Sequence, residues 1–125
     1  MKPNRALLIL DHGSRQESAN EEFRQLAERL RTLRPDLIVE YAHMEVADPD
    51  MAAGVAACVA RGAKEIVVHP YLLAAGRHTR ETIPSLVEQV SQEYPDLQFT
   101  ITAPLGPHEK LVELVLLRLD ELNPS

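Results

Sequence analysis

Residues 6–14 read ALLILDHGS. Five apolar residues, Ala6 to Leu10, run without a polar break and stop at Asp11-His12-Gly13-Ser14. A short apolar run that ends on a glycine turn reads as a buried strand. Strands buried on both faces belong to parallel sheets covered by helices. Outward from this run, Glu17 to Arg34 places Phe23, Leu26, Ala27, Leu30 and Leu33 at helical spacing. Ser18 suits its cap, and Pro35 stops it.

The strand-then-helix unit recurs three more times. Leu37 to Met44 reads as a second strand. Asp48 suits an N-cap, with Pro49 at the first helical position. The alanine-rich helix from Asp50 to Arg61 follows, closed by Gly62. Glu65 to Leu73 is the third strand, with β-branched Ile66, Val67 and Val68 at its centre. Thr79 to Tyr94 is the third helix, capped by Thr79 or Thr82, with Pro84 in its first turn. Leu97 to Ala103 is the fourth strand, and Pro107 to Leu122 the fourth helix. Four such units without a long linker predict one domain, residues 1–125. Its fold class is α/β, a flavodoxin-like three-layer sandwich. The four-stranded parallel sheet takes the order 2-1-3-4, with helices on both faces.

A chain of 125 residues can bury one ordinary core. Its formal net charge of -6 argues against nucleic acid as a partner, because that needs a basic face. The apolar run before Asp11 is too short for a signal peptide or a membrane span. No membrane partner and a cytoplasmic location are therefore expected. Cys58 is the only cysteine, so no internal disulfide forms. It reads as a buried thiol.

In an open α/β sheet, ligands bind beyond the carboxyl ends of the strands, where the strand order reverses. Here that point lies between strands 1 and 3. The polar residues at those ends are Asp11 to Arg15, His43 and Glu45, and Arg77 to Arg80. Imidazole and carboxylate together suit borderline divalent metals such as cobalt, nickel, iron and zinc. The set has no thiolate, which speaks against a closed structural zinc site. His12, followed at once by Gly13, reads as an exposed functional imidazole. His78 reads equally as a ligand or a loop residue, and Glu45 equally as a ligand or a solvated acid. His43 is either an outer partner of the site or a packed polar strand residue. His69, before Pro70, reads as a satisfied histidine, while His108 stays open between cleft and solvent. Arg15, Arg77 and Arg80 read equally as anion binders or solvated charges. Neither G-x-S-x-G nor G-x-x-x-x-G-K-[ST] occurs, which removes a nucleophile elbow and a phosphate-cradling loop.

Four segments, LLILDHGSR (7–15), HMEVADPDM (43–51), VVHPYLLAAGRHTRETIP (67–84) and APLGPHEKL (103–111), together resemble one family. It is the CbiX/SirB sirohydrochlorin chelatases in their short, single-domain form, and the resemblance covers nearly the whole chain. The resemblance implies a lyase that inserts cobalt or iron, with nickel a further possibility, into sirohydrochlorin or a close relative. The product serves cobalamin or siroheme biosynthesis, and no cofactor beyond the substrate metal is implied. His12 and His78 match the family's metal-site histidines, and Glu45 falls at its carboxylate. All three are then both metal ligands and catalytic residues. Ser14, Arg15, Arg77 and Arg80 are the candidates for binding the substrate's carboxylates. Larger relatives carry two such domains around one cleft, so a homodimer is implied. Asp11 departs from the family pattern, which usually has a small residue before the HGS motif. Thr82 departs too, where relatives often carry an acid, and Glu81 stands beside it. Two rivals are a non-catalytic carrier of tetrapyrrole or metal and a flavodoxin-like signalling domain. The second lacks its lysine, because strand four ends in Ala103-Pro104.

Overall fold

A computed structural model describes residues 4–122, apart from the side chain of His78. Its elements run β1 (Arg5–Asp11), α1 (Glu17–Leu33), β2 (Ile38–His43), α2 (Met51–Ala60), β3 (Glu65–Pro70), α3 (Arg77–Ser91), β4 (Gln98–Ile101) and α4 (Glu109–Glu121). All strand pairs are parallel, and the sheet order is β2-β1-β3-β4. The expected fold class is the observed one.

The alternation of side chains along β1 divides the core. Ala6, Leu8 and Leu10 face α2 and α3, where they meet Val55, Cys58, Ile83, Val87 and Val90. Leu7 and Ile9 face the other way, against Phe23 and Ala27 of α1. A strand with helices on both sides has no use for polar residues in its centre, which accounts for the apolar run. Cys58 is buried, and burial pushes its thiol up to about 12.

All four helix starts differ from the sequence reading; α4 begins after His108 and not at Pro107. α1 begins after Gln16, so Ser18 lies inside its first turn. α2 is capped by Asp50, whose side chain accepts from the Ala53 N–H at 2.9 Å, and not by Asp48. The Pro49 carbonyl is taken by the His43 N–H at 2.8 Å, so the chain at Pro49 still follows β2. α3 starts after Gly76, which leaves Thr79 and Thr82 inside the helix and Pro84 in its interior. A proline there has no N–H for the preceding turn.

α4 departs further from the simple sandwich. It contributes no buried residue, and Val112, Leu114, Val115, Leu116, Leu117 and Leu119 are all exposed. Among the described residues no helix is long and apolar enough to cross a membrane.

Gly54 marks the tightest contact between α2 and the sheet. A Cβ there would meet the Ala42 Cβ at 2.9 Å and Leu8 Cδ1 at 3.0 Å. Alanine is the better helix former by about 0.5–1 kcal/mol, but overpacking of a filled core costs about 1–3 kcal/mol. Gly54→Ala is therefore expected to lower stability in urea unfolding. An unchanged or raised midpoint would show that the contact yields.

Candidate functional site at the carboxyl edge of the sheet

β1 and β2 run in register, with Asp11 opposite His43. Their pairing outlasts the strands. The Met44 N–H donates to the Asp11 carbonyl at 2.7 Å, and the Glu45 N–H to the His12 carbonyl at 3.1 Å. The backbone itself thus sets Glu45 beside His12. Gly13 makes this possible. Its φ is +88°, and a Cβ would fall 2.1 Å from the Glu45 carbonyl oxygen, so the position demands glycine twice over. Val46 follows with φ +59°, and the Ala47 N–H donates to the Glu45 carbonyl at 2.8 Å. That is the strained form of γ-turn. A β-branched residue held there is a local outlier of the kind that surroundings must enforce.

The loop after His12 is clamped from α1. The Ser14 N–H donates to Asn20 Oδ1 at 3.0 Å, and Asn20 Nδ2 donates to the Ser14 carbonyl at 2.7 Å. Ser14 Oγ accepts from the Gln16 N–H at 3.0 Å. His12 and Arg15 are left exposed, as is Glu45. Asn20 was not singled out by sequence. The available signal is a bifunctional amide in the first turns of α1, six residues past Ser14.

The other half of the edge is tied in the same way. The Tyr71 N–H donates to the Leu10 carbonyl at 2.7 Å, and the Gly106 N–H to the Leu72 carbonyl at 3.0 Å. His78 lies in the first turn of α3, and its side chain falls outside what the structure describes. Arg77 pairs with Glu81 at 3.4 Å while 93% exposed, which makes it a surface pair of little energetic weight. Arg80 lines a cavity of about 230 Å³ with Ala75, Ile83, Pro84 and Thr102. That cavity is separate from the one beside His12.

Between the ends of β1 and β3 a crevice of about 390 Å³ opens at the topological switch point. Asp11, His12, Ser14, Asn20, Tyr71 and Leu73 line it. Asp11 Oδ1 is 2.6 Å from Nδ1 of the fully buried His43. Among the described residues no three His, Cys, Asp or Glu side chains stand close enough to cage a metal. The backbone bond sets Glu45 beside His12, and no third such side chain among the described residues joins them. His69 is bonded through Nδ1 to Thr102 Oγ1 at 2.7 Å, and burial lowers its pKa. His108 caps α4, its Nδ1 accepting from the Lys110 N–H at 3.0 Å.

Fold and site together define an α/β protein that offers imidazole and carboxylate to a ligand at the reversal of its strand order. The CbiX family model matches residues 6–122, and the chain belongs to that family. It is 39% identical over 109 residues to the chloroplastic sirohydrochlorin ferrochelatase of Arabidopsis thaliana, across 87% of this chain and 48% of the relative. It is 32% identical over 109 residues to the sirohydrochlorin cobaltochelatase of Sulfolobus acidocaldarius, across 87% of this chain and 85% of that one. The chain spans about half or less of the length of several such relatives. Among solved structures, SirB from Bacillus subtilis with Fe3+ superposes with a TM-score of 0.88 at 29% identity. The match covers 96% of this chain and 48% of SirB. A CbiX protein from Marinobacter aquaeolei superposes with a TM-score of 0.81 at 28% identity, covering 97% of this chain and 99% of that one.

Gly13→Ala puts a methyl group onto the Glu45 carbonyl at a φ that disfavours it. We expect a stability loss of about 1–3 kcal/mol or more in urea unfolding, with faster amide exchange at Glu45. A loss below about 0.5 kcal/mol, the range of an uninvolved surface site, would contradict the contact.

Proposed function

We propose that this chain inserts a divalent metal, cobalt or iron, into sirohydrochlorin or a close relative. One observation carries the reading most: the parallel ladder delivers His12 and Glu45 side by side at the strand-order switch. Family membership and the names of the relatives support it. In this reading His12, His78 and Glu45 are the metal ligands and the catalytic residues.

Insertion removes two pyrrole N–H protons and strips water from the ion. A neutral imidazole can bind the ion or accept a proton near working pH. His12 and His78 hold the ion at one face of the macrocycle. As pyrrole nitrogens replace the protein ligands, Glu45 and the freed imidazoles take up the two protons. Few protein ligands help here, because a closed cage would hold the metal in the ground state and raise the barrier to its transfer. The macrocycle's carboxylates meet Ser14, Arg15, Arg77 and Arg80, with Arg80 reaching them from its neighbouring cavity. The reaction draws on no group beyond the metal and the macrocycle. A cytoplasmic location belongs to the same reading, and cell fractionation tests it.

The working unit in this reading is a homodimer. Its support is α4, whose apolar residues surround most of the helix. A helix of that kind needs to be covered. Beside it runs a groove of about 780 Å³ lined by Leu73, Pro107, Leu111, Val115 and Arg118. Light scattering is expected to give twice the 14.0 kDa chain mass. Leu119→Glu is expected to shift the protein toward monomer, and a monomeric parent would refute the dimer.

The activity is tested anaerobically with sirohydrochlorin and Co2+ or Fe2+, without ATP, following the absorption change against the uncatalysed rate. Turnover is expected, and His12→Ala is expected to reduce it by at least about a hundredfold, as loss of a principal acid–base group does. Stoichiometric binding without turnover would instead identify a carrier.

A further inference from the structure

We propose that Asp11 is a further contact for the metal in this cleft, and that His43 is the residue that positions it. The proposal rests on the chelatase reading above and adds to it a charged group at the base of the crevice.

Asp11 ends β1, and its side chain falls on the α1 face with Leu7 and Ile9. His43, in register on β2, falls on the same face with Val39 and Tyr41. A carboxylate can only accept, so His43 Nδ1–H donates to Asp11 Oδ1, at 2.6 Å. The His43 ring is packed among Phe23 and Tyr41, at ring-centroid distances of 5.5 Å and 5.8 Å. Its Nε2 is buried and has no hydrogen-bond partner among the described residues. A buried polar atom without a partner is destabilising. Phenylalanine would fill the same aromatic surroundings without that penalty. Nor is the side-chain pair needed to weld β1 to β2. The strands are already in register over six residue pairs, and two backbone bonds carry the ladder past their ends. What the buried imidazole does alone is fix one oxygen of one carboxylate.

The other oxygen is free. Among the described residues Asp11 Oδ2 makes no hydrogen bond, and no Lys or Arg pairs with Asp11. Asp11 is 22% exposed and lines the crevice with His12 and Ser14. A second acid, Glu22, shares a smaller adjoining cavity with it. One oxygen pinned by a neighbour and one open to a cleft is how ligating carboxylates are commonly held. A negative charge without a cationic side chain, in a crevice that the exposed His12 also lines, is a charge that a divalent cation entering the crevice would meet. The third group of that site is His78, whose side chain falls outside the described residues, and Glu45 lies outside this set.

The test is Co2+ binding by the protein without any tetrapyrrole, measured by calorimetry and by the visible cobalt spectrum. Asp11→Asn is expected to weaken Co2+ binding by about tenfold or more and to change the spectrum. The melting temperature of the metal-free protein should barely move. His43→Phe keeps the carboxylate but frees it, and is expected to weaken Co2+ binding while leaving the metal-free protein at least as stable. Wild-type affinity and spectrum in Asp11→Asn would overturn the proposal and leave Asp11 a packing residue. If that variant does not fold, Asp11→Gly takes its place under the same criterion. Undiminished Co2+ binding by His12→Ala would instead refute the location of the site itself, whatever Asp11→Asn does.

Discussion

The approach of the Gly13 backbone to the Glu45 carbonyl is the contact on which the carboxyl edge of this sheet depends. It lets the β1–β2 pairing run two residues beyond the regular ladder, into loops that would otherwise diverge. His12 and Glu45 are then positioned by the main chain, and their side chains stay free. A side-chain network holding them would use up the lone pairs that the proposed metal binding requires. The strained turn at Val46 belongs to the same arrangement, since it bends the chain away immediately after Glu45. Core burial in β1 and β2 supplies the stability that such strain draws on.

Most of the architecture was legible in sequence, because it follows from patterns along the chain. The uninterrupted run from Ala6 to Leu10 has one sensible meaning, and four repeats of strand then helix leave few topologies. The helix starts were less legible. Asp48 and Asp50 flank Pro49 with the same capping chemistry. Which one caps depends on the His43 N–H taking the Pro49 carbonyl, a contact between residues whose pairing the local sequence does not reveal. Gly76 stands where a threonine cap is expected at the start of α3: it is extended and offers no side-chain cap, so the capping chemistry of Thr79 and Thr82 does not mark the helix start.

The site was legible in part. His12 and Glu45 each follow a strand, and the fold brings their backbones together. The Asp11–His43 pair spans 32 positions and depends on strand register, which periodicity alone does not fix. Once β1 and β2 are aligned, however, both residues sit at odd positions on the α1 face and must be neighbours. Asn20 shows in the sequence only as an amide early in α1, because its work is done on the backbone of Ser14 and not on another side chain. Arg80 illustrates the reverse. Nearness in sequence to His78 suggested one shared cleft, yet the turn of α3 carries Arg80 toward Ile83 and Pro84.

The apolar surface of α4 and the crevice at His12 are connected through one residue. Leu73 lines both the crevice and the groove beside α4, and the Leu73 carbonyl lies 2.2 Å from where a Cβ on Gly106 would fall. Gly106 therefore does on the β3–β4 side what Gly13 does on the β1–β2 side: each lets two loops close on one another where a side chain would hold them apart. The groove beside α4 and the wall of the crevice therefore share Leu73, against which Gly106 packs. Burying a single exposed leucine contributes about 1.5–3 kcal/mol, and α4 offers several. In the proposed dimer that is ample free energy to order the loop that carries Gly106, so covering α4 would also shape the crevice beside His12.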